Sequence, residues 1–366
     1  MKENPKLYIH ASNVVGFGAR TVAYSLLKAI VEDSNNKDLS IVLHLPDVPF
    51  WHENSPKAKN WEVVYEPRPR QKIQRILGRA IDCLFTPAWL KNAKSLVVLG
   101  DIPIRFKGKQ IVLVHNTHLI NNKSRGKFKI NIFIILRVIF KFNIQYVDCF
   151  IMQSDVIRSD FSLSYPLIAN RIKSIPMPVP EWIKGIKKIP NTDNSIFRMV
   201  YPANDYLHKN HTLIAKMHDA RTLSPDFIEL KITMTQEEFL KLTLLKKLNS
   251  SWILFEGSLD NEQMKQCYLT SDALFFPSLK ESYGFPLVEA MSLDLFIICA
   301  DLPYARWMCG DQAIYFDPIC PHSALKAVDE CFTRRNNGWK PNWESALSKI
   351  PIDWIQYSKE FLAQMK

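Results

Sequence analysis

The sequence predicts an α/β protein built from two doubly wound, parallel-sheet domains. Short apolar runs of strand length alternate along the chain with segments of helical periodicity, the pattern that parallel sheets with crossover helices produce. A proline-bearing stretch at 178–195 divides this alternation into two halves. With 366 residues, the chain is long enough for each half to bury a core of its own.

The first strand is expected at 6–12, then a loop from Asn13 to Thr21, then helical periodicity over 22–30. Gly16 and Gly18 lie in that loop, where glycine lets backbone approach a phosphate closely. Gly-Phe-Gly-x-x-Thr is only part of a dinucleotide fingerprint, because the third glycine is missing and no acidic residue closes a second strand. A plain turn explains it as well.

Further strands are expected at 61–65, 95–99 and 110–115, with a basic, partly amphipathic stretch at 68–79. His115 and His118 follow the last of these. The carboxyl end of a buried parallel strand is where such sheets hold ligands, so His115 is either a site residue or a hydrogen-bonded structural histidine. The stretch 127–144 reads as a helix with apolar residues nearly all round and a basic collar at its front. It is either a plain buried helix or one whose exposed side meets a membrane leaflet, where each basic residue near the surface adds about 1 kcal/mol. Asp148 to Phe161 reads as a strand entering a helix capped by Ser154. Pro176, Pro178 and Pro180 cannot sit in a central strand and open the linker.

The second half begins with a strand at 197–202, a loop through Asn204, His208 and Lys209, and a helix at 212–220. A strand at 227–234 precedes Thr235-Gln-Glu-Glu238, a capping box. Another strand at 252–256 leads to Asp260 and Gln263, which open a helix, and strands at 273–276 and 296–299 follow. Residues 354–365 are helical by periodicity. The expected organisation is therefore 1–177 as one domain, 178–195 as linker, 196–345 as the second domain, and 346–366 as a terminal helical segment.

Bulk composition narrows the class. Hydrophobic residues make up 47% and charged ones 23%, as in a folded soluble protein, and no window approaches the run of about 18 apolar residues that a spanning helix needs. The opening residues run straight into a strand with no secretory leader pattern. Cys83, Cys149, Cys267, Cys299, Cys309, Cys320 and Cys331 show no C-x-x-C spacing, so they read as reduced thiols of a cytoplasmic protein. The net charge of +11 is uneven: Arg105, Lys107, Lys109, Lys123, Arg125, Lys127, Lys129, Arg137 and Lys141 lie in a stretch with no acidic residue. Such a patch suits lipid headgroups or a pyrophosphate-bearing partner. Nucleic acid is set aside because no recognition motif accompanies the charge.

The stretch that organises the chain is Ser278 to Met291. An apolar run, Ala273 to Phe276, ends at Pro277, and Pro286 suits the first position of a following helix. Strand, glycine turn and helix together aim free N–H groups and a partial positive charge above the turn. Glu281 lies in the turn and Glu289 one helical turn inside. On spacing alone, these are equally a loop carboxylate and a residue complementing the helix dipole.

Glu-x7-Glu around Tyr283-Gly-Phe-Pro-Leu, then Ile297 to Ala300 and Gly310 to Pro318, resembles the nucleotide-sugar site of retaining GT-B glycosyltransferases, in particular glycosyltransferase family 4. The resemblance implies a GT-B fold, two Rossmann-like domains facing a cleft, with the N-terminal domain on the acceptor side and the last helix crossing back to it. It implies a metal-independent, retaining hexosyl transfer from a nucleoside diphosphate sugar to a glycolipid or polysaccharide, as in O-antigen, capsule or exopolysaccharide synthesis, without a protein nucleophile or cofactor. Lys209 and the position of Asn204 would clasp the diphosphate, facing Gly16 and Gly18. Glu289 would accept from the ribose, and Glu281 with Ser282, Tyr283, Gly284 and Phe285 would position the sugar. His115 would stand at the acceptor face. Peripheral contact with the inner membrane leaflet follows only from the second reading of the 127–144 helix, in which its exposed side meets a membrane. Asn204 departs from the arginine or lysine usual there, and Trp307 from the usual glutamate. These departures keep a weakened, non-catalytic GT-B subunit open as an alternative, beside a nucleotide-sugar epimerase.

Overall fold

The structure is a computed structural model that describes residues 7–67, 85–91, 93–115, 119–120, 132–188, 195–220 and 227–365. The chain divides into two compact units, 1–178 with 351–366, and 179–350.

The first unit opens with β1 (Leu7–His10), α1 (Phe17–Glu32), β2 (Ile41–Pro46), α2 (Pro49–Asn54) and β3 (Trp61–Glu66). It continues with β4 (Ser95–Val98), β5 (Lys109–Leu113), α3 (Ile132–Asn143), β6 (Cys149–Met152), α4 (Asp155–Ser164) and β7 (Ile172–Ser174). All seven strands pair in parallel in the order β3-β2-β1-β4-β5-β6-β7. Strands β2, β4 and β6 are buried along nearly their whole length, as sheets covered on both faces require. Ser154 caps α4 by accepting from the Ile157 N–H at 3.3 Å. Phe140, Phe150, Phe161 and Tyr165 interlock in the core at ring separations of 4.8–5.8 Å.

Helix α3 has an exposed side, as one of its two sequence readings expects. Ile139 and Phe140 are buried, whereas Ile134, Val138 and Phe142 are 46%, 47% and 61% exposed. Residues 127–131 of the expected helix, with Lys123, Arg125, Lys127 and Lys129, lie outside the described residues, as do His118 and Cys83. The other six cysteines are free thiols. Among the described residues, no helix is long and apolar enough to cross a membrane.

The second unit contains β8 (Phe197–Tyr201), α5 (His211–Ala220), β9 (Ile228–Ile232), α6 (Gln236–Thr243), β10 (Ile253–Phe255), α7 (Asn261–Leu269) and β11 (Ala273–Phe276). Then come α8 (Phe285–Ser292), β12 (Phe296–Ala300), α9 (Pro303–Cys309), β13 (Ile314–Phe316), α10 (Pro321–Asn336) and α11 (Glu344–Leu347). Its six strands are parallel in the order β10-β9-β8-β11-β12-β13. Capping boxes form at Thr235/Glu238 and Asp260/Gln263. The last helix, α12 (Trp354–Ala363), belongs to the first unit and packs along α1.

Each sheet reverses its winding once, between β1 and β4 and between β8 and β11. Ligands of open α/β sheets bind at such switch points, above the carboxyl ends of the strands. The loops leaving β8 and β11 therefore frame the position of interest in the second unit.

Candidate active site

The loop after β8 is held in shape by its own polar groups. A short turn at Leu207–Lys209 ends at Asn210, which has a left-handed φ of 61°. Asparagine tolerates that conformation because its short side chain can hydrogen-bond locally. Its side-chain amide donates to the carbonyls of Pro277, at 3.2 Å, and Pro318, at 2.9 Å. The Leu279 N–H donates to the His208 carbonyl at 2.7 Å, and buried Tyr201 donates to the Lys209 carbonyl. Loops that leave β8, β11 and β13 are thereby tied into one surface.

This scaffold aims Lys209 at Glu281. The ammonium donates to Oε1 at 2.6 Å and lies 5.1 Å from the Phe276 ring centroid, and the two side chains are 9% and 13% exposed. A charge pair this dry needs close geometry to offset its desolvation. Asn204 is exposed at the start of the same loop, and its backbone carbonyl accepts from His211 Nε2 at 2.7 Å. His208 stacks on Tyr206 at 5.5 Å, so its ring is engaged locally.

The turn into α8 works through glycine. Gly284 is the N-cap with φ 89°, a left-handed conformation costly for other residues, and an added Cβ would sit 3.2 Å from Leu287. The helix begins at Phe285, so Pro286 is its second residue rather than its first; neither position needs an intrahelical donor. Ser282 and Phe285 are half-buried. The Tyr283 side chain is buried, edge-on to Phe285 at 5.2 Å and to Trp307 at 6.5 Å, which leaves its backbone as the part available to a ligand. Trp307 therefore packs on the loop that carries the motif.

Glu289 is buried, and Oε2 accepts from the Tyr268 hydroxyl at 2.7 Å. Burial pushes its carboxyl up to about 7, against the lowering effect of the Tyr268 hydrogen bond and the Lys209 charge. Tyr268, from α7, was not singled out in the sequence; nothing in a pattern read locally pairs it with Glu289, 21 residues on.

In the first unit, Gly16 caps α1 and Gly18 lies in its first turn, and a Cβ at either would meet nothing within 4 Å. Asn13, just before them, donates to the Gly100 carbonyl at 2.6 Å. The next residue, Asp101, has φ 71° and accepts the His115 N–H at 2.5 Å. The His115 ring is hydrogen-bonded to Gln153 through Nδ1, while Nε2 is buried without a partner among the described residues. Burial lowers the His115 pKa, opposed by the Asp101 charge, so the ring is held neutral. Asp101 and Gln153 also escaped the sequence reading; a strained aspartate declares itself only in backbone angles.

Residues 197–335 match the family described as glycosyl transferases group 1. The second unit carries a group 1 glycosyl transferase domain. Lys209, Glu281 and Glu289 all lie inside the matched segment. Part of the chain is similar to the serotype-specific mannosyltransferase WbdA of Escherichia coli, 31% identical over 107 residues, covering 29% of this chain and 12% of the relative. The O-antigen chain mannosyltransferase B of Escherichia coli is 28% identical over 67 residues, 18% of each chain. The chain thus spans less than a fifth of the length of either relative. Among solved structures, Anabaena HepE in complex with UDP and glucose superposes with a TM-score of 0.67 at 11% identity, covering 99% of both chains. WaaG, a glycosyltransferase of lipopolysaccharide biosynthesis, gives 0.67 at 11% identity over 98% of this chain and 95% of its own. The fold is GT-B, and the matched segment 197–335 lies inside its second unit.

Proposed function

We propose that the chain is a retaining, metal-independent hexosyltransferase that uses a nucleoside diphosphate sugar and extends a glycolipid or polysaccharide of the O-antigen or lipopolysaccharide kind. The observation that carries the reading is the Lys209–Glu281 pair at the switch point of the group 1 domain, with Glu289 in the adjoining helix. The mannosyltransferase relatives favour mannose as the sugar.

In this reading Lys209 meets the diphosphate, aided by backbone N–H groups at the start of α8. Preorganised donors aimed at developing charge are each worth about 3–4 kcal/mol of barrier. Glu289 accepts hydrogen bonds from the ribose diol, and Glu281 holds Lys209 while orienting sugar hydroxyls. The acceptor oxygen bonds to the anomeric carbon on the face from which the phosphate oxygen departs, and the acceptor proton passes to that oxygen. Gly16 and Gly18, open above their Cα atoms, allow close approach of a ligand. His115, kept neutral, meets the acceptor hydroxyl. The exposed stripe Ile134, Val138 and Phe142, beside Arg137 and Lys141, supports peripheral contact of α3 with an anionic leaflet.

The test is a panel of labelled nucleotide sugars offered to the purified chain, with hydrolysis and transfer followed in the presence of EDTA. Slow release of sugar from one donor with retained configuration supports the reading. Inversion, loss of turnover with EDTA, or turnover that only epimerises the sugar overturns it.

A further inference from the structure

The second unit begins at Val179, and its opening segment, 179–188, is fastened to the C-terminal end of α7. Pro180 and Ile183 are buried, and the Ile183 and Lys184 N–H groups each donate to the Pro180 carbonyl at 3.1 Å, which makes a tight turn around Trp182. The half-buried Trp182 indole lies against the Tyr268 ring, with centroids 6.3 Å apart and an interplanar angle of 31°. That separation is within the range at which aromatic pairs interact. Lys188 closes the segment by donating from its ammonium to the Ser271 carbonyl. Ser271 is itself held to the end of α7: its N–H donates to the Tyr268 carbonyl at 3.1 Å and its hydroxyl to the Cys267 carbonyl at 2.7 Å. Two separate contacts therefore bind the segment to the part of the helix that carries Tyr268.

Tyr268 is fully buried, and its hydroxyl donates to Glu289 Oε2 at 2.7 Å. A phenol hydroxyl stands at the far end of a rigid ring, so a small tilt of the ring displaces it most. The hydrogen bond tolerates little displacement, because it weakens steeply with distance and angle. Deleting the indole leaves a void beside the ring, and the surroundings of such voids relax only in part. What walls in the Tyr268 ring therefore aims its hydroxyl at Glu289, and Trp182 is part of that wall.

We infer that Trp182 is a positioning residue of the donor site: through Tyr268 it orients the Glu289 carboxylate for the ribose diol, which makes the segment entering the second unit a structural part of nucleotide recognition. The inference rests on the proposed role of Glu289 and extends it to a residue that acts only through another.

The experiment is calorimetric titration of UDP and GDP into the full chain and into Trp182→Ala, Trp182→Leu, Trp182→Phe, Tyr268→Phe, Glu289→Ala and the double variant Trp182→Ala/Tyr268→Phe. Circular dichroism and urea unfolding check each fold, and either ringless Trp182 variant that folds serves. Trp182→Ala and Trp182→Leu weaken the bound nucleotide about fivefold, and Trp182→Phe, which keeps a ring, recovers most of that loss. In the Tyr268→Phe background Trp182→Ala weakens binding by less than about twofold more, because the hydroxyl it aims is gone. Packing of the segment alone would lower stability and leave the affinity of the folded chain as in the wild type. Unchanged affinity in the ringless variants, or the whole loss recurring on top of Tyr268→Phe, overturns the inference; a loss of binding in Glu289→Ala then still supports the donor-site reading. Wild-type affinity in Glu289→Ala, or no nucleotide bound by the wild type, overturns both.

Discussion

Lys209 and Glu281 reach each other from the loops on the two sides of the β8/β11 switch point, closing to 2.6 Å with little exposure to water. Neither loop places its side chain alone: the Asn210 amide and the Leu279–His208 hydrogen bond set both. Removing one partner leaves the other charge stranded. Lys209→Met is expected to cost about 2–4 kcal/mol in urea unfolding, and the double variant Lys209→Met/Glu281→Gln to recover part of it.

Glu289 makes stability depend on pH. Its carboxyl, normally near 4.5, is pushed up to about 7, so the folded chain holds a proton that the unfolded chain has lost between those values. Stability therefore falls as pH rises through this window, by about 3 kcal/mol in total, and the loss is complete above pH 7. Denaturation of Glu289→Gln across the same range is expected to lack that slope. Nucleotide binding moves the other way and strengthens as pH rises through about 7, because the ionised carboxylate is the better acceptor for a diol.

Tyr268→Phe removes the hydroxyl that stabilises ionised Glu289. The cost is about 1–2 kcal/mol of stability. The pH midpoint for nucleotide binding shifts upward, a readout that loss of packing alone would leave in place.

Asp101 carries backbone strain together with a hydrogen bond to the His115 N–H. Asp101→Ala keeps the unfavourable φ and loses the acceptor, with an expected cost of about 1–3 kcal/mol. It lowers transfer to acceptor while leaving UDP and GDP binding unchanged.

Strand and cap positions were readable because their causes are local. Thr235 with Glu238, and Asp260 with Gln263, are three residues apart and form the expected boxes. The run Ala273–Phe276 is buried throughout, as its composition required. For α3, periodicity revealed a helix but not which neighbours cover it, so exposure of Ile134, Val138 and Phe142 had to come from packing. In the site, the Glu-x7-Glu spacing marked Glu281 and Glu289, whereas Tyr268, Asp101 and Gln153 act through contacts that only the folded sheet creates.

Exposure of that α3 stripe yields a separate expectation. Replacing Val138 and Phe142 with serine, both solvent-facing, is expected to leave stability within about 0.5 kcal/mol and to reduce sedimentation with anionic vesicles. Charge reversal at Lys123, Arg125, Lys127 and Lys129 is expected to do the same. Unchanged sedimentation in both variants removes the membrane contact.

The most direct test is calorimetric titration of UDP and GDP into the wild type, Lys209→Ala and Glu289→Ala at pH 8. The account predicts that one nucleotide binds the wild type and that both substitutions weaken it at least on the order of tenfold. Equal affinity in all three proteins would contradict the assignment of Lys209 and Glu289 to the donor.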